Sequence, residues 1–350
     1  MWNAHGEFCA VFSSGALHTA YHEERMNDRS WRKDLAARTR SACRGCALCD
    51  GRACAGEVPG IGGKGRGDTF VNNVLSWEEI SAPWMEASRA ARFSMQAKTR
   101  ETSAPFREAP LSAQARLPEI AVAPITGVDE NIGGAMPEAE FHDALVRGAK
   151  EAGIFSCIGD GVPDYKFTDG VAALVRHSRK AAIIIKPHRN RIIIERFELA
   201  APYAEAVGID IDACTLATVE SKAAMEKKDA RLLLEIQKFA KIPFVIKGIC
   251  REEELELLDA VRPDIVVISN HGGRVADELE GIAYTLERLA PRARNFCGEV
   301  WVDGGLRTRE HLLKAAALGA KRVLIARPFI QGVVCFGADG VRRVLQEEFA

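Results

Sequence analysis

Residues 300–329, VWVDGGLRTREHLLKAAALGAKRVLIARPF, decide the fold. Two apolar, β-branched runs, Val300–Gly305 and Val323–Pro328, each stop abruptly in a glycine or proline turn that carries an arginine. Runs of this kind read as buried strands, and the turn residues mark where each strand ends. Moving towards the N-terminus, the same punctuation recurs at Ile265–Asn270, Phe244–Ile249, Val207–Asp212, Ala182–Pro187, Phe155–Gly159 and Ile120–Pro124. Between the runs lie stretches such as EAEFHDALVRGAKEAG and REEELELLDAV, whose apolar residues recur at helical spacing.

Eight strand–helix units in the C-terminal two thirds of the chain match a (β/α)8 TIM barrel in count and length. An open doubly wound sheet shares the alternation, but gathers its unusual residues at one switch point. Here PITG, GDG, IKPH, DIDAC, IKGI, SNHGGR, DGGLR and ARPF all fall at strand C-terminal ends. That distribution favours the closed barrel, whose active sites are built from all eight loops on that face. The expected organisation is a barrel over residues 118–350 with an N-terminal extension. Within the extension, residues 1–25 are expected to be disordered or a gene-start artefact, and Met26 to be the more natural start. Residues 26–117 hold a cysteine cluster and a glycine-rich loop.

The chain has 350 residues, is 47% hydrophobic and carries a formal net charge of -1. Near-neutral charge without a long basic run argues against a nucleic-acid partner. No apolar stretch approaches the ~20 residues that span a bilayer, and the N-terminus lacks the pattern of an export signal. A reducing cytoplasm is therefore the expected home. There, clustered cysteines point to metal or redox chemistry rather than to disulfides.

Candidate chemistry concentrates at the strand ends. The turns after the last two strands, with Asp303-Gly304-Gly305, Arg307 and Ala326-Arg327-Pro328, are suited to a phosphate group. Glycines there admit backbone N–H groups, and arginines donate charge-assisted forks. Lys247 interrupts the apolar run FVIKGI. It either stabilises negative charge on an electron-rich ring or snorkels to water. Asp210 and Asp212 alternate with apolar residues, so both are expected on one side of strand 4. One could orient an imidazolium, and the other could cap the following helix. His271, flanked by glycines at a strand end, is suited to proton abstraction near neutral pH, with His188 a rival. Arg274 is suited to gripping a carboxylate bidentately.

FVIKGI, DIVVISNHGGR and VWVDGGLRTREHLLKAAALGAKRVLIARPF together resemble the FMN-dependent α-hydroxy-acid oxidase and dehydrogenase family. VAPITG, SCIGDG and DIDA extend the resemblance more weakly across the barrel. GEVPGIGGKGRGDTFVNNVLSWEEI is faintly similar to the family's segment before the barrel. The resemblance implies FMN as cofactor, a small-molecule carboxylate as substrate, and a homo-oligomer. It implies His271 as base and Asp212 as its electrostatic partner. Arg274 would bind the substrate carboxylate, and Lys247 would lie near flavin N1 and O2. Asp303, Gly305, Arg307 and Arg327 would hold the ribityl chain and phosphate, while Pro124, Ile125 and Thr126 pass along the flavin. Ser156, Ser269, Gly304 and Ala326 complete the implied cofactor set.

The departures concern substrate. The family's Gln-x-Tyr on strand 3 is replaced by IIIKPH, and no second arginine follows strand 4. The glycine before Arg327 is Ala326. Lys186 is a candidate for the missing substrate contact. These departures keep two alternatives open: a flavin barrel without net redox chemistry, of the type 2 isopentenyl-diphosphate isomerase kind, and a flavin or cluster redox sensor.

Finally, CRGCALCDGRAC places Cys43, Cys46, Cys49 and Cys54 in C-x2-C-x2-C-x4-C spacing. This is similar to a loop wrapping an iron–sulfur cluster; zinc or free thiols are the other readings. A cluster beside a flavin would imply an electron acceptor other than oxygen, whose identity the sequence leaves unknown.

Overall fold

The computed structural model describes residues 69–81, 117–129, 136–216, 225–275 and 280–350. The cysteine motif from Cys43 to Cys54, the helix expected over Trp31–Ala42 and the glycine-rich stretch before Thr69 lie outside the described residues.

Eight parallel strands close in sequence order: β1 Glu119–Ile125, β2 Phe155–Ile158, β3 Ala181–Ile185, β4 Ala204–Asp210, β5 Phe244–Ile249, β6 Ile265–Ile268, β7 Glu299–Asp303 and β8 Arg322–Ile325. β1 pairs with both β2 and β8, so the sheet has no edge. The TIM barrel expected from the turn distribution is therefore present. Its strands are mostly apolar because both faces are covered: every residue of AAIII in β3 and of IVVI in β6 is buried.

The described helices are α1 Thr69–Glu79, α2 Glu138–Glu151, α3 Tyr165–His177, α4 Asn190–Ala200, α5 Ala230–Gln237, α6 Glu254–Val261, α7 Ile282–Ala293, α8 Arg309–Ala317, α9 Arg327–Phe336 and α10 Asp339–Val344. α2 turns one stripe inward, burying Phe141, Leu145 and Ala149 while Glu140 and Lys150 stay in water, whereas α9 is buried from Arg327 to Cys335. Side-chain caps fix two starts. Asp229 accepts from the Leu232 amide at 2.8 Å, and Thr308 from the His311 amide at 3.3 Å.

Register places the charges. β4 and β5 pair Asp210 against Lys247, and β7 ends on Asp303. One expectation is corrected here. β4 stops at Asp210, and Asp212 sits in a 3-10 turn, Ile211–Thr215. The backbone of Asp210, at φ -91° and ψ 82°, has already left the extended conformation. Strand alternation therefore does not relate the two carboxylates.

α1 was not expected as a helix. It packs on α7 and on the mouth of the barrel. Trp77 Nε1 donates to the Gly304 carbonyl at 2.8 Å, and Lys314 Nζ to the Trp77 carbonyl at 2.7 Å.

Candidate active site

The strand C-termini surround a cleft of about 1150 Å³, counting its open mouth. Its wall includes the expected Pro124, Ile125, Thr126, Lys247, His271, Arg274, Asp303, Gly304, Gly305, Arg307, Ala326 and Arg327. Asp212, Ser156 and Ser269 lie behind that wall rather than on it. Ser269 and Asp212 act through neighbours. Ser269 Oγ accepts from Lys247 Nζ at 3.1 Å and from the His271 amide at 3.0 Å.

His271 lies on the turn after β6 with φ 56°, followed by Gly272 and Gly273 at 65° and 79°. Three consecutive left-handed residues make the turn very tight. Glycine supplies that conformation freely at two positions, whereas the histidine is held there at a cost. His271 Nδ1 is 2.9 Å from Asp212 Oδ1 and 3.5 Å from Asp210 Oδ2. The tautomer that donates from Nδ1 to the carboxylate leaves Nε2 as the acceptor. Burial holds the ring well below its ordinary 6.5, with Asp210 opposing, so the imidazole is neutral and able to take a proton. Burial pushes Asp212 above the usual carboxylate value, and Lys247 opposes that shift.

Lys247 does not snorkel: it is 2% exposed. Its ammonium is 3.0 Å from Asp210 and 3.4 Å from Asp303. Burial works against the charge, but the carboxylates of Asp210, Asp303 and Asp212 outweigh it and raise the pKa. Arg274 Nε donates to the His271 carbonyl at 3.2 Å, and the residue lines the cleft. Arg327, at the start of α9, donates to the Gly272 carbonyl at 2.8 Å. The substitution of alanine at 326 leaves this arginine on the cleft wall.

His188, the rival base, is committed elsewhere. Its Nε2 lies 2.9 Å from Asp160 Oδ2 and 3.1 Å from Arg196 Nη1. Burial, aided by Lys186, takes it down to about 4. Asp160 is the hub of this second buried network. It pairs with Arg196, which in turn reaches Asp164 at 2.6 Å. Sequence reading missed this hub. Its one signal is an arginine on the apolar face of α4, which needs a buried anion. Asn73 was also missed: its amide is paired with that of Asn270, beside the turn that carries His271.

Is the cleft suited to a flavin mononucleotide? Asp303 Oδ1 is buried on its wall without a hydrogen-bond partner among the described residues. Gly304 and Gly305, at φ 101° and 73°, open their backbone towards it. Arg307 and Arg327 supply two buried guanidinium groups at the same end. An acceptor, open amides and paired cations fit a polyol phosphate.

The sequence pattern of the FMN-dependent dehydrogenase family matches residues 166–348. The chain belongs to this family. It is 42% identical over 112 residues to mouse 2-hydroxyacid oxidase 2, covering 31% of each chain. It is 40% identical over 116 residues to L-lactate dehydrogenase (cytochrome) of Saccharomyces cerevisiae, covering 32% of this chain and 20% of that protein. With L-lactate oxidase of Lacticaseibacillus rhamnosus it shares 27% over 240 residues, covering 60% and 64%. These matches span less than two thirds of each relative. A solved mandelate oxidase variant with benzoyl-formic acid superposes at a TM-score of 0.62 over 90% of both chains, at 21% identity. That likeness concerns the barrel fold alone. No described helix is long and apolar enough to cross a membrane.

Proposed function

We propose that this FMN-dependent dehydrogenase family member oxidises small 2-hydroxy acids to 2-oxo acids. One observation carries the reading: His271, oriented by Asp212, shares a cleft wall with Arg274 and Lys247. The names of the relatives point the same way, since they act on 2-hydroxy acids and lactate.

Bound FMN would supply the two-electron sink for the reaction. Arg307, Arg327 and the amides around Gly304 and Gly305 would hold its phosphate, Asp303 its ribityl hydroxyls, and Lys247 the electron-rich edge of its ring. Arg274 receives the substrate carboxylate through a two-pronged guanidinium contact. His271 Nε2 accepts the hydroxyl proton, and the α-hydrogen would leave with its bonding pair to the flavin's two-electron sink as the carbonyl forms. Asp212 keeps Nδ1 protonated and stabilises the imidazolium that results. The tight turn 271–273 presents imidazole and guanidinium to one ligand, so orientation is prepaid in folding.

The test is anaerobic. FMN-loaded protein mixed with lactate, glycolate or mandelate should lose its yellow absorbance. Persistent colour with all three and with the 2-hydroxy dicarboxylates malate and tartronate, in protein that dithionite still bleaches, would overturn the reading.

A further inference from the structure

The cleft contains a cation that the chemistry above does not use. Lys186 follows β3, lines the cleft and is 9% exposed. Its ammonium donates to the Asp160 carbonyl, and no carboxylate of the described residues lies within ion-pairing distance of it. The carboxylate of that same Asp160 is already taken by Arg196, by His188 and by the Lys186 amide at 2.9 Å. Lys166, 1% exposed, lines the same region, with Nζ 3.9 Å from Asp129. A buried ammonium without a counter-ion is costly, and an anion arriving with a ligand would offset that cost.

The position of Lys186 separates it from the two anions already assigned. In the closed order of eight strands, β3 stands diametrically across the ring from β7, four steps either way, where the phosphate-binding turn begins. Arg274, after β6, can satisfy one carboxylate with its own fork. Lys186 approaches from the far wall. We infer that Lys186 anchors a second anionic group of the substrate, so that the preferred substrates are 2-hydroxy dicarboxylates. The carboxylate beside the hydroxyl meets Arg274, and the distal one meets Lys186.

The electrostatics agree. Burial, with repulsion from Arg274, Lys247 and Lys166 and partial compensation by Asp210, takes the Lys186 ammonium down to about 8. The groups around it are Thr126 after β1, the Asp160 carbonyl after β2, Lys166 of α3, His188 after β3, Asp210 of β4, Lys247 of β5, and His271 and Arg274 after β6. Dicarboxylate affinity should therefore fall as pH rises through about 8 and the ammonium deprotonates.

This inference rests on the hydroxy-acid reading of the cleft, but its test does not need turnover. FMN-loaded protein is titrated with non-reacting ligands, malonate and succinate against acetate, and binding is read from the flavin absorbance. Lys186→Met should weaken the dicarboxylates by at least roughly tenfold and leave acetate within about threefold. Lys186→Arg should restore the preference and remove the loss above pH 8, since guanidinium stays charged. Equal weakening of acetate and dicarboxylates would overturn the proposal, because Lys186 would then serve a single carboxylate. Unchanged binding of both would overturn it too. So would loss of flavin in Lys186→Met with no dicarboxylate preference in Lys186→Arg. If malonate selectivity depends on Lys186 while no hydroxy acid bleaches the flavin, the proposed activity falls and the anchor stands.

Discussion

Asn73 and Asn270, 197 positions apart, exchange side-chain amides. Asn73 Nδ2 donates to Asn270 Oδ1 at 2.8 Å, and Asn270 Nδ2 donates back to Asn73 Oδ1 at 2.7 Å. The same Asn73 oxygen accepts from the Ile282 amide at 3.0 Å, and Asn270 Oδ1 accepts from the Gly273 amide at 3.2 Å. A helix outside the barrel thereby fixes the turn that presents His271. Asn73→Ala would leave buried donors unsatisfied and should cost about 1–3 kcal/mol, read by urea denaturation. Since the two amides serve each other, the double variant with Asn270→Ala should cost less than the sum of the singles. Strict additivity would contradict the coupling.

His271→Gln removes the proposed proton acceptor and keeps a polar side chain on the turn. Flavin content should stay at the wild-type level, while reduction by substrate slows by about 10²–10⁴-fold. Stopped-flow absorbance under argon separates the two. Wild-type reduction rates in this variant would remove His271 from the role of base.

The pH dependence follows in sign from the same residue. A base works when unprotonated, and burial lowers the pKa of His271 well below 6.5. The acid limb of kcat/KM should therefore lie below pH 6.5, with activity retained between 6.5 and 7 and lost only as pH falls further. A profile that instead declines through pH 7 towards acid would show an imidazole stabilised in its charged form.

How far the sequence discloses this site depends on how local each feature is. Strand ends, the SNHGGR turn and the DGG turn are legible because β-branched runs and glycines announce themselves within a few residues. The partnership of Asp212 with His271 follows from family likeness, yet the turn carrying Asp212 was misread as strand. Period-2 alternation does not reveal that the backbone bends at Asp210. Asn73 and Asp160 were invisible for a different reason. Each matters through a partner brought near only by closure of the ring, and an asparagine in FVNNVLSW or an aspartate in GDG has no distinctive neighbours. Lys186 stood out as a charge at the end of an apolar run, but its lack of a carboxylate partner among the described residues is a three-dimensional fact.

Gly305 is a position where no side chain is tolerated. Its φ is 73°, and a Cβ built there would run into the Asn73 backbone carbonyl of α1. Gly305→Ala should destabilise the protein by more than about 1 kcal/mol, and it should push α1 off the barrel mouth. The decisive measurement is amide exchange of residues 69–79, which should speed up in the variant. Unchanged protection with unchanged stability would mean that α1 yields without cost.

Lys247 tests whether buried charge or ring chemistry dominates its role. Two carboxylates, Asp210 at 3.0 Å and Asp303 at 3.4 Å, depend on this ammonium, and both are largely shut off from water. Removing one partner of a buried ion pair usually costs roughly 3–5 kcal/mol, because the other charge is left uncompensated. Lys247→Met should therefore lower stability by that order even in flavin-free protein. Lys247→Arg keeps the charge but cannot match the compact ammonium geometry. It should recover most of the stability while still slowing flavin reduction. If Lys247→Met instead leaves thermal unfolding of the apoprotein unchanged, the three-carboxylate environment is not what holds this lysine, and its placement serves the cofactor alone.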